Sequence, residues 1–90
     1  MVNILFINLL KYNMMTFHEF KHKWINSVLP RENKSIRVGQ SLMNFLAVIN
    51  PEEYKHISSI HYYDRTDIDC FFNDKLIPNT LEHLETNWKL

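Results

Sequence analysis

The stretch "SIRVGQSLMNFLAVINPEEY", residues 35–54, decides the fold because it carries two helix-start patterns and one long apolar stripe. Ser35 is a residue type that caps helices, and apolar residues follow at the three- and four-residue spacing of one helix face. The stripe consists of Val38, Leu42, Phe45, Leu46 and Ile49. The spacing predicts a helix that begins just after Ser35 and ends near Asn50.

A second helix is predicted to follow at once. Asn50 is a preferred N-cap residue, Pro51 suits the first helical position, and Glu53 stands at the third. We expect a short helix that directs Tyr54 and Ile57 towards the core.

Further helical patterns flank this stretch on both sides. Thr16, with Glu19 three residues later, forms a capping-box pattern, and Pro30 ends the apolar run that follows. That run is Phe17, Phe20, Trp24, Val28 and Leu29, which predicts a helix over about 17–29. A last helix, about 78–89, begins at Pro78 and presents Leu81, Leu84 and Trp88 on one face.

Between these helices, residues 61–76 ("HYYDRTDIDCFFNDKL") show no sustained periodicity. We expect an ordered loop, anchored by its aromatic side chains. The predicted fold class is therefore all-α: a small single-domain bundle of about four short helices, with an ordered aromatic and acidic loop before the last one.

Length and composition fit one folded domain. Ninety residues suffice for one modest core, and a hydrophobic content of 46% with a single glycine is far from the composition of disordered chains. Cys70 is the only cysteine, which excludes an intrachain disulfide and a multi-cysteine zinc site. A reducing cytoplasm is the expected location.

The opening segment, residues 1–13 ("MVNILFINLLKYN"), is apolar but too short to span a bilayer, and it lacks the features of a signal peptide. We therefore expect no membrane segment. Met14 and Met15 stand directly before a helix-start pattern, so translation can naturally begin there. The expected organisation is an apolar N-terminal extension over 1–13 and a single helical domain over 14–90.

The formal net charge of zero conceals a difference between the two halves of the chain. Residues 1–45 hold six cationic and two acidic residues, a net charge of +4, and residues 46–90 hold four cationic and eight acidic ones, a net charge of −4. The basic half falls short of a nucleic-acid footprint. A nucleic-acid-binding accessory protein stays as an alternative, and it would use Lys21, Lys23, Lys34 and Arg37.

One chemical motif is present. His18, Glu19 and His22 match His-Glu-x-x-His, in which two histidines one helical turn apart bind zinc and the glutamate activates the metal-bound water. Lys21 and Lys23 flank His22 and disfavour a cation there, and no third ligand stands at a recognisable spacing. A minimal zinc metallohydrolase is therefore the enzyme alternative, while two ordinary histidines on a helix flank are favoured. We expect no cofactor.

A polar row lies on the predicted helix that follows Ser35. Arg37, Gln40 and Asn44 occupy positions i, i+3 and i+7, away from the apolar stripe, and Gly39 leaves room for a neighbouring backbone or a partner. An arginine supplies a planar fork for a carboxylate or a phosphate, so the row can bind a partner.

Two further readings of this row stay open. It can be a solvated helix face, or Arg37 can pair with Asp69 or Asp74 of the loop. Phe71 and Phe72 are equally ambiguous, because adjacent residues of an irregular segment need not both face the core. Whichever ring is exposed would be an aromatic anchor of the kind enriched in binding hot spots.

Four segments together resemble small uncharacterised proteins of tailed phages and prophages. They are "RVGQSLMNFL", "INPEEYKHI", "DIDCFFNDKLI" and "LEHLETNW", which give an Arg-x-Gly-Gln-x-x-x-Asn helix, a proline-started helix, an Asp-x-Phe-aromatic-x-Asp segment and a terminal Trp. The resemblance covers about residues 15–90 and brings no known activity. It implies a phage-like setting in the host-cell cytoplasm, in which small intracellular proteins often bind and redirect or inhibit host machinery.

The sequence thus favours a non-enzymatic protein-binding module, plausibly a phage-encoded modulator or inhibitor of a host protein. A host or phage protein is the expected partner, and neither a nucleic acid nor a membrane is expected. The candidate surface residues are Arg37, Gln40, Asn44, Phe71 and Asp74.

Overall fold

The computed structural model describes residues 15–89, and helices of several kinds make up most of this part of the chain. The α-helices are α1 (Phe17–Lys23), α2 (Val38–Ile49), α3 (Pro51–Ile57) and α4 (Ile77–Asn87). Shorter turns cover Trp24–Val28 (π-helical) and Leu29–Arg31, Tyr63–Arg65 and Asp74–Leu76 (3₁₀). Residues 15–89 contain no β-strand, so the predicted all-α bundle is confirmed. The predicted extension, residues 1–13, lies outside the described residues.

The first helical run begins at the predicted capping box. The Thr16 hydroxyl accepts the Glu19 N–H, and the Glu19 carboxylate accepts the Thr16 N–H, each at 3.1 Å. After Lys23 the run widens into the π-helical turn and closes with the 3₁₀ turn that contains Pro30. Proline has no N–H to donate to an α-helical ladder, so the α-helix cannot continue through this position.

The N-cap of α2 lies two residues later than predicted, at Arg37 instead of Ser35. The Asn33 side chain accepts the Ser35 N–H at 2.9 Å and the Ser35 hydroxyl at 3.0 Å, which holds Ser35 in a turn. Arg37 is the N-cap residue instead, with extended backbone and no capping hydrogen bond from its side chain. The prediction that Ser35 caps this helix is therefore wrong, because its bonds to Asn33 hold Ser35 in a turn that precedes the helix.

Helices α2 and α3 are joined through a single residue. The Asn50 N–H donates to the Leu46 carbonyl at 2.8 Å and so ends α2, while the Asn50 side chain accepts the Glu53 N–H at 3.2 Å and so starts α3. The predicted cap is confirmed. Ile57 is fully buried and Tyr54 is half-buried, as the pattern predicted.

The core is built from the predicted apolar faces. Its buried hydrophobic residues are Phe20, Trp24, Leu42, Met43, Leu46, Ile49, Ile57, Cys70 and Leu84. Val38 of the predicted stripe is 39% exposed, because it stands in the first turn of α2, at the end of the stripe. Inside the core, the Trp24 indole donates to the Ser41 hydroxyl at 3.1 Å, which donates to Glu32 at 2.8 Å.

Trp88 brings the two ends of the described chain together. Helix α4 ends at Asn87, one residue before Trp88, whose indole N–H donates to the Met15 carbonyl at 2.9 Å. Its ring lies 5.9 Å from that of Phe17 and 5.0 Å from that of Phe20, measured between centroids. None of the helices within residues 15–89 combines the length and the apolar character needed to cross a membrane.

Candidate protein-interaction surface

Two side chains of α4 hold the preceding loop against the helix by donating to carbonyl groups of the loop backbone. The Thr80 hydroxyl donates to the Ile68 carbonyl at 2.6 Å, and the Asn79 amide donates to the Asp67 carbonyl at 3.2 Å. Thr80 is fully buried. Two successive loop carbonyls are thus satisfied from the first turn of α4, so the loop has a defined path.

Asp69 is the main polar anchor of the loop. It is 7% exposed, and its carboxylate accepts the Ser59 N–H and hydroxyl, both at 2.8 Å, and the Phe71 N–H at 2.9 Å. By contrast, Tyr62 and Tyr63 are 44% and 95% exposed. The loop is therefore ordered, as predicted. Of its aromatic side chains Phe71 packs against the core while the two tyrosines do not, and Asp69 supplies the polar anchor.

Gly39 lets the loop approach α2 closely. Its N–H donates to Asp74 Oδ1 at 2.8 Å, and its carbonyl accepts the Cys70 thiol at 3.4 Å. A Cβ atom at this position would overlap the Cys70 carbonyl oxygen and stand 3.0 Å from Asp74 Oδ1. The predicted role of Gly39 is confirmed: a neighbouring backbone fills the space that a side chain would need.

Arg37 crosses from the start of α2 to the same loop. Its Nη2 atom donates to the Phe71 carbonyl at 2.9 Å. The guanidinium carbon lies 5.9 Å from the Phe71 ring centroid and 5.8 Å from that of Phe72, within the range of cation–π attraction. Arg37 thus pairs with a backbone carbonyl and two rings, and within residues 15–89 it forms no ion pair with Asp69 or Asp74.

The two phenylalanines differ in exposure, which the sequence left open. Phe71 is half-buried and packs against the core, whereas Phe72 is 71% exposed. Their rings meet edge to face with centroids 4.7 Å apart. Phe72, and not the candidate Phe71, therefore presents the exposed ring. The only sequence evidence that one ring would be exposed was that the two residues are adjacent, and this does not determine which ring faces outwards.

The remaining candidates lie on or beside α2. Gln40 is half-buried and Asn44 is exposed, and neither side chain forms a hydrogen bond to another residue within 15–89. Asp74 is exposed as a residue, but its Oδ1 atom is occupied by the Gly39 N–H. The structure thus brings Arg37, Phe71 and Asp74 together, with Gln40 and Asn44 on the following turns of α2.

The contacts and the exposed face of this region are distinguished as follows. The joint is the set of contacts between Arg37 and Gly39 of α2 and Cys70, Phe71 and Asp74 of the loop. The arginine–aromatic surface is the exposed face beside it, formed by Arg37 and Phe72 and extended along α2 by Gln40 and Asn44.

Cys70 belongs to the joint and not to a reactive site. The side chain is fully buried, and burial raises the pKa of its thiol to about 11. A thiol with a raised pKa is a poor nucleophile, because the thiolate is the reactive form. The residue acts as a small core side chain that donates to Gly39.

The His-Glu-x-x-His match has a structural explanation. Glu19 is the reciprocal residue of the capping box at the start of α1, and His18 and His22 are exposed on the flank of that helix. The Asn26 amide lies 3.2 Å from His22 Nδ1 and also donates to the His22 carbonyl. Within residues 15–89, no group of three or more histidine, cysteine or acidic side chains is placed to hold a metal ion.

The lysines of the nucleic-acid alternative do not gather with Arg37. Lys21 and Lys23 are half-buried along α1, and Lys34 is exposed in the turn before α2. Arg37 meanwhile is bound to the loop through Phe71.

No protein-family model, curated protein or solved structure matches the chain.

Proposed function

We propose that this protein is a non-enzymatic protein-binding module and acts as a phage-encoded modulator or inhibitor of a host protein. The observation that carries the proposal is the pairing of Arg37 with Phe72: an exposed phenyl ring beside an arginine held in place by the Phe71 carbonyl. Arginine and large aromatic residues are the types on which binding energy concentrates in protein interfaces.

The rigidity of this pair supports the proposal. A long arginine side chain loses rotamer freedom when it binds, which costs about 0.5–1.5 kcal/mol for each immobilised side chain. Arg37 is already ordered by one hydrogen bond and two rings, and the loop below Phe72 is fixed through Asp69 and Gly39. Much of the ordering cost is therefore met when the chain folds rather than when a partner binds.

The chemistry of the surface defines a partner. The guanidinium carries five N–H groups, and only one bond, from Nη2 to Phe71, is formed within residues 15–89, so donors remain for a carboxylate. Phe72 needs an apolar pocket in the partner, and Gln40 and Asn44 offer further donors and acceptors. The expected partner is a protein whose surface combines an apolar pocket with an adjacent acidic side chain.

The resemblance to small phage proteins supports the phage setting. The residues that define the resemblance include Arg37, Gly39, Phe71 and Asp74, and these are the residues that meet at the joint. The pattern therefore corresponds to one physical feature, which displays the arginine–aromatic surface. This correspondence supports both the grouping with such proteins and the assignment of the surface.

The proposal is tested by quantitative capture from a lysate of the bacterial host, comparing wild type with three variants. Arg37→Glu reverses the charge, Phe72→Ala removes the exposed ring, and Tyr63→Ala removes a still more exposed aromatic ring elsewhere. A genuine partner is retained by wild type and Tyr63→Ala and is depleted with both Arg37→Glu and Phe72→Ala.

Each variant is first checked for folding by circular dichroism and thermal unfolding. A partner captured equally by wild type, Arg37→Glu and Phe72→Ala would contradict the assignment of the surface. So would a partner lost with Tyr63→Ala alone, because binding would then depend on the tyrosine loop.

A further inference from the structure

The outer face of α2, formed by Gln40, Asn44 and Val48, differs from the other helix surfaces in its lack of charge. Of the four α-helices in residues 15–89, only α2 contains no acidic or basic residue. At about 100° per residue these three side chains share an arc of about 80°. Asn44 and Val48 are exposed and Gln40 is half-buried. Because charged residues are depleted from the centres of protein interfaces, this composition is typical of a contact surface.

The polar part of this face is complementary to itself. Gln40 and Asn44 each carry an amide, which both donates and accepts hydrogen bonds, and neither side chain forms one within the described residues. A two-fold axis brings identical surfaces together, so like charges would repel each other there, whereas amides can pair. When two copies of α2 run antiparallel, Gln40 of each copy can lie opposite Asn44 of the other.

The two ends of α2 are complementary in charge. Arg37 stands at the N-terminal end, and only its bond to the Phe71 carbonyl is formed within residues 15–89, so further N–H groups remain to donate. The C-terminal end of a helix carries a partial negative charge, which α1 and α3 offset with basic residues in their last turns. The last turn of α2 has no basic residue. An antiparallel pair would place each Arg37 beside this end of the other α2.

Exposed apolar side chains stand at the same two ends. Phe72 lies beside Arg37 and is 71% exposed, and Val48 is 64% exposed in the last turn of α2. The helix rises roughly 16 Å between Arg37 and Val48. The antiparallel arrangement that pairs the amides would therefore also bring Phe72 of one copy to Val48 of the other. Amide, charged and apolar groups are thus matched in a single arrangement.

We infer that two copies of this chain associate through antiparallel contact of their α2 helices, around a two-fold axis between Gln40 and Asn44. The contact consists of one helix face and the adjoining Phe72, so the interface is small and the association is weak and concentration-dependent. The dimer covers the arginine–aromatic surface and would therefore compete with the proposed partner for that surface. The inference does not rest on the proposed function, because dimerisation needs only this chain.

The test is sedimentation equilibrium of the purified full chain from about 10 µM to about 1 mM, the range in which weak dimers form. Wild type is expected to change from monomer to dimer across this range. Asn44→Glu places like charges near the axis and should raise the dissociation constant about tenfold or more. Glu85→Lys, which changes the charge on the exposed face of α4, should dimerise as wild type does.

A double variant tests the antiparallel geometry. Gln40→Lys combined with Asn44→Glu puts opposite charges across the axis and should restore the dissociation constant to within about threefold of wild type. Circular dichroism checks that each variant is folded.

Three results would overturn the inference. They are a wild type that stays monomeric throughout, an Asn44→Glu variant that dimerises as tightly as wild type, and a double variant that stays as weak as Asn44→Glu. No host protein is present in these measurements, so their outcome is separate from that of the partner capture.

Discussion

Two exposed aromatic residues of this protein, Tyr63 and Phe72, differ in what lies beneath them. Tyr63 is 95% exposed, and within the described residues its ring has no aromatic or cationic partner. Phe72 is 71% exposed, but its ring packs edge to face on Phe71 and beside the Arg37 guanidinium. The two rings therefore differ in support as well as in exposure. What distinguishes Phe72 is that its neighbours fix the position of its ring in the folded chain.

The support under Phe72 is local and can be removed. Gly39, Asp69 and Cys70 hold the loop in place, whereas the tyrosine turn at Tyr63–Arg65 shares none of the contacts of the joint. Substitutions in the joint should therefore destabilise the protein, while substitution of Tyr63 should not.

Gly39→Ala should have the largest effect. The new methyl group would overlap the Cys70 carbonyl, so α2 and the loop must separate and the bonds of Gly39 to Asp74 and Cys70 would weaken. Overpacking together with these losses predicts a decrease of about 4 kcal/mol in the free energy of unfolding, measured with urea. Gln40→Ala is the matched control and should stay within about 1 kcal/mol. Wild-type stability of Gly39→Ala would contradict the close approach.

Asp69→Asn should come next. The carboxylate accepts three hydrogen bonds, and an amide would place N–H groups against at least one of these donors. We expect a loss of about 2–3 kcal/mol in the free energy of unfolding. Asp67→Asn, at an exposed position two residues earlier, should change it by less than about 0.5 kcal/mol. Equal effects of the two substitutions would mean that Asp69 does not anchor the loop.

Cys70 makes the joint sensitive to alkaline pH. Burial raises the pKa of its thiol from 9.0 to about 11, so between these values the unfolded chain has lost a proton that the folded chain retains. The stability that the neutral thiol contributes is therefore complete below pH 9 and is lost as the pH rises towards 11, by about 2–3 kcal/mol.

This pH dependence is measured as the difference between wild type and Cys70→Ala, because the two proteins share every other titratable group. The difference in the free energy of unfolding should change between pH 9 and pH 11. A constant difference would show that the thiol is not buried in the folded state. At pH 7, the thiol should also react slowly with a disulfide reagent until the protein unfolds.

Tyr63→Ala should have the smallest effect. Its ring is almost fully exposed, so truncation should change the free energy of unfolding by less than about 0.5 kcal/mol. Thermal unfolding of the variant beside wild type is sufficient to check this. A loss comparable to that of Asp69→Asn would mean that the tyrosine turn supports the fold, and the contrast with Phe72 would no longer hold.

The helices could be predicted from sequence because their signals are local. The capping box at Thr16, the cap at Asn50 and the apolar stripe of α2 all depend on residues within a few turns of one another. The start of α2 was missed because Asn33 forms a turn with Ser35, and the sequence pattern did not show that this turn would replace the capping role of Ser35.

The joint was only partly predictable because its contacts join distant parts of the chain. Gly39 was correctly identified as a place of close approach. The acceptor of Arg37, however, is the backbone carbonyl of Phe71, and because every residue has such a carbonyl the residue type does not predict this contact. Whether Phe72 faces outwards depends on the path of the loop, and this path is set by the hydrogen bond between Asp69 and Ser59, ten residues away. Such choices are set by tertiary contacts and not by periodicity.

The most direct test of the binding surface is the dissociation constant of the purified partner for wild type, Phe72→Ala and Tyr63→Ala. Truncation of a hot-spot aromatic residue costs about 2 kcal/mol or more, so Phe72→Ala should raise Kd about 30-fold with its unfolding temperature nearly unchanged. Tyr63→Ala should leave Kd unchanged. Equal affinities of wild type and Phe72→Ala would contradict the assignment of the arginine–aromatic surface as the site at which this protein binds.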